Sequence, residues 1–108
     1  VKKKAYVSGP YTKGDPCVNV HNAVMASNKL MDAGFVVFCP HLSHFWHSMT
    51  PRPYEDWMEI DLAFLPACDF LIRLPGDSKG ADIEVAEARK AGLRVYYSME
   101  DLLKNERP

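Results

Sequence analysis

The sequence predicts one α/β domain over residues 1–108: a doubly wound, four-stranded parallel sheet in the order 2-1-3-4, with helices on both faces. Three observations point there. Short apolar runs alternate with longer segments whose apolar residues recur at helical spacing, giving the order βαβαβαβα. Gly or Pro marks most of the junctions. The run Phe70-Leu71-Ile72 has no polar face, as expected of a strand covered on both sides. Such alternation requires right-handed crossovers, which place helices above and below a parallel sheet.

Each element has its own signal. Lys4–Ser8 reads as the first strand, ended by Gly9-Pro10. After a loop at Gly14-Asp15-Pro16, the residues Val20, Ala23, Val24, Ser27, Leu30 and Met31 keep helical spacing. Asn19 is the expected cap, and Gly34 the left-handed residue that closes the helix. Phe35–Cys39 is the second strand, stopped by Pro40. A loop is expected from Pro40 to Pro53, long enough to suggest function. Tyr54–Leu65 reads as a helix, with Glu55 and Asp56 suited to its N-terminal dipole and Met58, Leu62 and Leu65 as its buried stripe. Cys68–Leu74 is the third strand and Ala81–Ala91 the third main helix, closed by Gly92. Leu93–Tyr97 is the fourth strand, and Ser98 with Asp101 forms a capping box for a short last helix.

Composition narrows the function. The chain has 108 residues, 47% of them apolar, and a formal net charge of −1. That charge offers no basic field for a nucleic-acid polymer or an anionic membrane. No apolar run approaches the ~20 residues of a membrane span. Three widely spaced cysteines, Cys17, Cys39 and Cys68, without a CxxC pair, fit reduced thiols in the cytoplasm.

Ligands of parallel α/β sheets sit beyond the strand C-terminal ends, where strand order reverses. Four segments fall there: Ser8–Tyr11, Pro40–His47, Leu74–Gly80 and Tyr97-Ser98. The turn Leu74-Pro75-Gly76-Asp77-Ser78-Lys79-Gly80 leads from a strand into a helix, so it presents free backbone N–H groups to an anion. It also delivers the carboxylate of Glu84 into the first part of that helix. On spacing alone, Glu84 is either a nucleophile or an ordinary acidic residue near a helix start. Asp69 at a strand start is either an acid for a leaving group or a satisfied strand-end carboxylate, and Asp77 is either that acid or a turn residue. Ser78 is a phosphate ligand, a helix cap, or both, with Gly80 beside it. His41 and His44, with Phe45 and Trp46, either line a pocket and stack on a base or pack the loop. Cys39, His41, His44 and His47 match no established zinc spacing, so no metal is expected. Tyr6 and Tyr11 frame the pocket or fill the core, while Trp57 and Met58 read as packing or a subunit contact.

The segments Tyr6-Val7-Ser8-Gly9-Pro10-Tyr11, Pro40-His41, Cys68-Asp69 and Gly76–Glu84 together resemble the nucleoside 2-deoxyribosyltransferase-like superfamily, which includes deoxynucleoside 5′-monophosphate N-glycosidases. The resemblance covers nearly the whole chain. It implies a Rossmann-like or flavodoxin-like sheet and scission of an N-glycosidic bond, by hydrolysis or base exchange. It implies that Glu84 attacks the anomeric carbon, that Asp69 lies near sugar and base, that Tyr6 lies close to the nucleophile, and that Ser78 helps hold a 5′-phosphate. Ser8, Gly9, Pro10, Tyr11, His41, His44, Asp77 and Gly80 complete the expected substrate contacts. Two positions depart from the pattern: Pro10, where the monophosphate branch has a second serine, and Asp82, where glycine is frequent. A non-catalytic nucleotide-binding or sensing module is the alternative. No organic cofactor is needed, the partner is a small nucleotide or nucleoside, and a homodimer is expected.

Overall fold

The computed structural model describes residues 1–108. Its strands are β1 (Lys4–Ser8), β2 (Val36–Phe38), β3 (Phe70–Arg73) and β4 (Arg94–Tyr96), all parallel, in the order β2-β1-β3-β4. Its helices are α1 (Pro16–Asp32), α2 (Ser43–Met49), α3 (Tyr54–Phe64), α4 (Lys79–Lys90) and α5 (Met99–Asn105), with short 3₁₀ turns at Pro40–Leu42 and Leu65–Ala67. The fold class and strand order are those the sequence predicts. No helix is long and apolar enough to cross a membrane.

Strand alternation splits the core in two. Ala5 and Val7 of β1, with Phe70 and Ile72 of β3, pack under α1 and α5 against Ala23, Leu30, Phe35 and Leu102. Tyr6 and Leu71 point the other way and pack against Leu65, Cys68, Val85, Ala88 and Leu93. Ser8 shares the Tyr6 face, so β1 carries two hydroxyls toward α4. Chain crossing from β2 over β1 to β3 opens a crevice at the C-terminal ends of β1 and β3.

Strands β2, β3 and β4 are shorter than the expected Phe35–Cys39, Cys68–Leu74 and Leu93–Tyr97, α4 begins two residues before Ala81, and two helical features differ further. The cap of α1 is Asp15, whose Oδ1 accepts from the Cys17 backbone N–H at 2.9 Å, with Pro16 at the first helical position. Asn19 lies inside the helix, and its side chain donates to the carbonyls of Tyr11 and Lys13, tying down the loop after β1. The Pro40–Pro53 loop is mostly helical, because α2 occupies Ser43–Met49. That helix buries none of its residues and has no side-chain cap to mark its start. The expected close of α1 holds, with Gly34 at φ +97°.

A second polar cluster holds the opposite end of the sheet. Glu106, 3% exposed, accepts from Lys3, from both Arg94 Nε and Nη2, and from the Tyr96 hydroxyl at 2.6 Å. Lys3 precedes β1 and Arg94 begins β4, so this carboxylate ties the C-terminal segment to the N-terminal edge of the sheet.

Candidate active site

The floor of the crevice is built from Glu84 and two hydroxyls. Tyr6 and Ser8, two residues apart on β1, present both side chains to the same face. The Tyr6 hydroxyl donates to Glu84 Oε2 at 2.5 Å, and Ser8 Oγ donates to Oε1 at 2.6 Å. Glu84 is 6% exposed, and Tyr6 and Ser8 are fully buried. Burial pushes the Glu84 carboxyl up, while the two hydroxyl donors and the charge of Arg73 pull it down. Tyr6 is driven far up by burial and by the neighbouring carboxylate, so it stays a proton-bearing donor.

Above the floor lies a cavity of about 910 Å³, large enough for a nucleotide-sized molecule. One wall is a face of α3: Tyr54, Trp57, Met58 and Asp61 recur at helical spacing and all line it. Burial, with the Glu84 charge added, raises the Asp61 carboxyl to about 7. No side chain or backbone N–H donates to the Asp61 carboxyl, whereas the Glu84 carboxyl receives two hydroxyls. The hydroxyl donors favour ionised Glu84, while burial without a donor favours protonated Asp61. Trp57 donates from Nε1 to His47 Nδ1 at 3.0 Å and stands edge-on to Trp46, which fixes the α2–α3 corner of the cavity.

The mouth is polar. Ser78 caps α4, its Oγ accepting from the Ala81 N–H at 3.1 Å. The first-turn N–H groups of a helix have no intrahelical acceptor, and Lys13, Arg52 and Lys79 line the cavity with them. A Cβ at Gly80 would meet the Tyr54 hydroxyl at 2.7 Å and displace that side chain. Asp77 pairs with Lys13 at 2.5 Å across the opening, which holds its carboxyl below the ordinary value and rules it out as a proton donor near neutrality. Tyr11 lines the cavity with its hydroxyl 2.6 Å from His44 Nδ1. His41, 5% exposed, donates from Nε2 to the Pro10 carbonyl at 2.8 Å, and burial keeps its ring neutral by lowering its pKa.

The structure brings most of the expected residues together and removes a few. Glu84, Gly9, Tyr11, His41, Asp77, Ser78 and Gly80 line the cavity, while Tyr6 and Ser8 stand behind Glu84. Asp69 does not belong: it precedes β3 at the N-terminal edge of the sheet, where Oδ2 accepts from the Lys4 backbone N–H at 2.7 Å. Parallel strands place that edge opposite the crevice, so Asp69 is a strand-end carboxylate. Pro10 lies outside the lining and is structural, since a Cβ on Gly76 (φ +115°) would meet its ring at 2.8 Å. His44 supports Tyr11 from behind, and Phe45 and Trp46 are more than half exposed and absent from the cavity wall. Trp57 and Met58 line the cavity, against the expectation of packing or a subunit contact. Asp61 was not foreseen; its signal was its place on one helical face with Tyr54, Trp57 and Met58. No three His, Cys, Asp or Glu side chains converge as a metal site would require.

Comparison with known proteins agrees with this architecture. A 2-deoxyribosyltransferase from the psychrotolerant bacterium Bacillus psychrosaccharolyticus superimposes with a TM-score of 0.62 at 16% identity, over 95% of this chain and 91% of that one. The chain thus has the nucleoside 2-deoxyribosyltransferase-like fold. No curated protein sequence matches it. Residues 3–97 match the family described as Domain of unknown function (DUF4406), and the chain belongs to that family.

Proposed function

We propose that this DUF4406 member cleaves the N-glycosidic bond of a nucleoside 5′-monophosphate or a nucleoside, by hydrolysis or by transfer to a second base. The observation that carries the reading is the buried Glu84 carboxylate, held by two hydroxyls at the floor of a cavity whose wall supplies a second carboxyl, Asp61. A carboxylate has about four acceptor sites and Tyr6 and Ser8 occupy two, so Glu84 keeps lone pairs for attack. In the first step Asp61 gives its proton to the departing base as a Glu84 oxygen bonds to C1′ and the C1′–N bond breaks. In the second, ionised Asp61 takes a proton from water, whose oxygen displaces Glu84 from C1′. Protonated Asp61 and free Glu84 are thereby restored. A second base in place of water gives transfer.

The 5′-phosphate is assigned to the Ser78–Gly80 turn, whose free helix N–H groups open on a cavity that Lys13, Arg52 and Lys79 also line. Both departures from the resemblance have structural causes, because Pro10 packs on Gly76 and Asp82 pairs with Arg73. Neither weighs against catalysis. Free thiols at Cys17, Cys39 and Cys68 suit the cytoplasm. A homodimer is supported by Leu42, Phe45, Trp46 and Met49, all more than half exposed and spaced along one helical face. Sedimentation should give a dimer at micromolar protein, and a lone monomer would refute that part.

The test is a panel of nucleosides and nucleoside 5′-monophosphates incubated with purified protein and analysed by chromatography for free base. Base release by the wild type and none by Glu84→Gln is expected. Full release by a folded Glu84→Gln would exclude the mechanism, and binding without release would favour a sensing module.

A further inference from the structure

Arg73 is a buried charge that the chemistry above leaves unused. It ends β3 on the Leu71 face, the face of Tyr6 and Glu84, with its side chain 9% exposed. Its guanidinium donates to the Leu74 carbonyl, to the Gly76 carbonyl at 2.9 Å and to Asp82 Oδ1 at 3.1 Å. Two of these acceptors lie in the turn leaving β3, and the third lies in the first turn of α4. The partners are unequal. Asp82 is 69% exposed, so water screens its charge, whereas the guanidinium is shielded. The pair therefore leaves positive potential beneath the start of α4.

We propose that Arg73 is a positioning residue of the site, whose guanidinium clamps the Leu74–Gly76 turn to the start of α4 and supplies the cation against which the buried Glu84 carboxylate ionises. The inference rests on Glu84 as nucleophile. The other groups facing Glu84 cannot supply that charge. Tyr6 and Ser8 from β1 are neutral donors, Tyr54 from α3 is a neutral phenol, and Asp61 carries a proton or a like charge. Of the cations on the cavity wall, Lys13 and Arg52 are paired with Asp77 and Asp56, and Lys79 is not among the groups that act on Glu84. Arg73 stands in register beside Ser8, whose hydroxyl holds Glu84 Oε1, and it is the cation there that favours the ionised form of Glu84. Asp82, a departure from the resemblance, becomes intelligible as the counter-charge that lets an arginine stay buried there.

The test is a ¹³C NMR titration of the Glu84 carboxyl without substrate, assigned by its loss in Glu84→Gln, in wild type, Arg73→Met, Arg73→Gln, Arg73→Lys and Asp82→Asn. Arg73→Met should move the Glu84 midpoint up. Asp82→Asn should leave it close to wild type, because that exposed carboxylate is already screened by water. Arg73→Lys should hold the midpoint near wild type but speed amide exchange at Gly76–Ser78, since an ammonium lacks the forked geometry. A merely structural Arg73 would change stability and leave the midpoints in place. An unmoved midpoint in folded Arg73→Met overturns the proposal; if Arg73→Met does not fold, Arg73→Gln decides by the same upward shift. Base release is scored separately on the same proteins. Shifted midpoints without base release would retire the glycosidic reading and leave the role of Arg73 standing.

Discussion

Two glutamates are buried at opposite ends of one sheet, and they differ in kind. Glu106 is surrounded by Lys3, Arg94 and Tyr96, and its carboxyl is held down to about 2, chiefly by the Arg94 hydrogen bond. Glu84 meets two neutral hydroxyls, a more distant arginine and another carboxyl, and it is pushed up. Burial is common to both; the partner set separates them. A carboxylate saturated by cations is a tie between chain segments. One held by hydroxyls beside a cavity keeps spare basicity for chemistry.

Substitution should expose that difference. The largest effect expected is on turnover: Glu84→Gln should lower base release by at least ~10³-fold with the circular-dichroism spectrum unchanged. Asp61→Asn should cost about 10²–10⁴-fold in kcat, because the departing base loses its proton donor. Its pH profile should lose the fall above pH 7 that the wild type owes to Asp61. Glu106→Gln should do the reverse, costing roughly 2–3 kcal/mol in urea melts while kcat of the folded protein stays unchanged. The smallest effect is expected at Asp69→Asn: about 1 kcal/mol or less of stability and no change in kcat/KM.

Acidification should pull the two ends in opposite directions. Glu106 has its folded value below the ordinary 4.5, so its stabilisation is complete above that pH and is lost as pH falls toward about 2. Asp61 is raised from 3.8 to about 7, so its charge opposes folding fully above pH 7 and the penalty fades as pH falls toward 3.8. Thermal melts of Asp61→Asn should therefore show stabilisation at pH 8 that vanishes by pH 4. A constant gain at both pH values would mean that Asp61 is not the group carrying the proton.

The same contrast explains what was legible in the sequence. The sheet and its order follow from alternation and Gly/Pro punctuation, which are local signals. Glu84, Ser78 and Gly80 were legible because a strand–turn–helix junction fixes them within a few residues. Asp69 was misplaced by the resemblance, against the rule that a strand-start position lies at the end of a parallel sheet away from the ligand. Asp61 went unseen because its environment comes from Glu84 and the cavity across the fold, while its local helix reads as packing. The α2 helix was hidden because no side-chain cap marks its start and its apolar face turns outward among polar histidine and serine positions. Glu106, near the chain end, gave no sign of the three cationic and phenolic partners that fold against it.

The central claim is that the Glu84 carboxylate forms a bond to a sugar carbon. Mass spectrometry of protein acid-quenched during turnover of a deoxynucleoside 5′-monophosphate tests it directly. The account predicts added mass equal to a deoxyribose phosphate on the peptide containing Glu84, absent from Glu84→Gln. Base release at full rate with no added mass on that peptide, or the same mass found on Glu84→Gln, would contradict it.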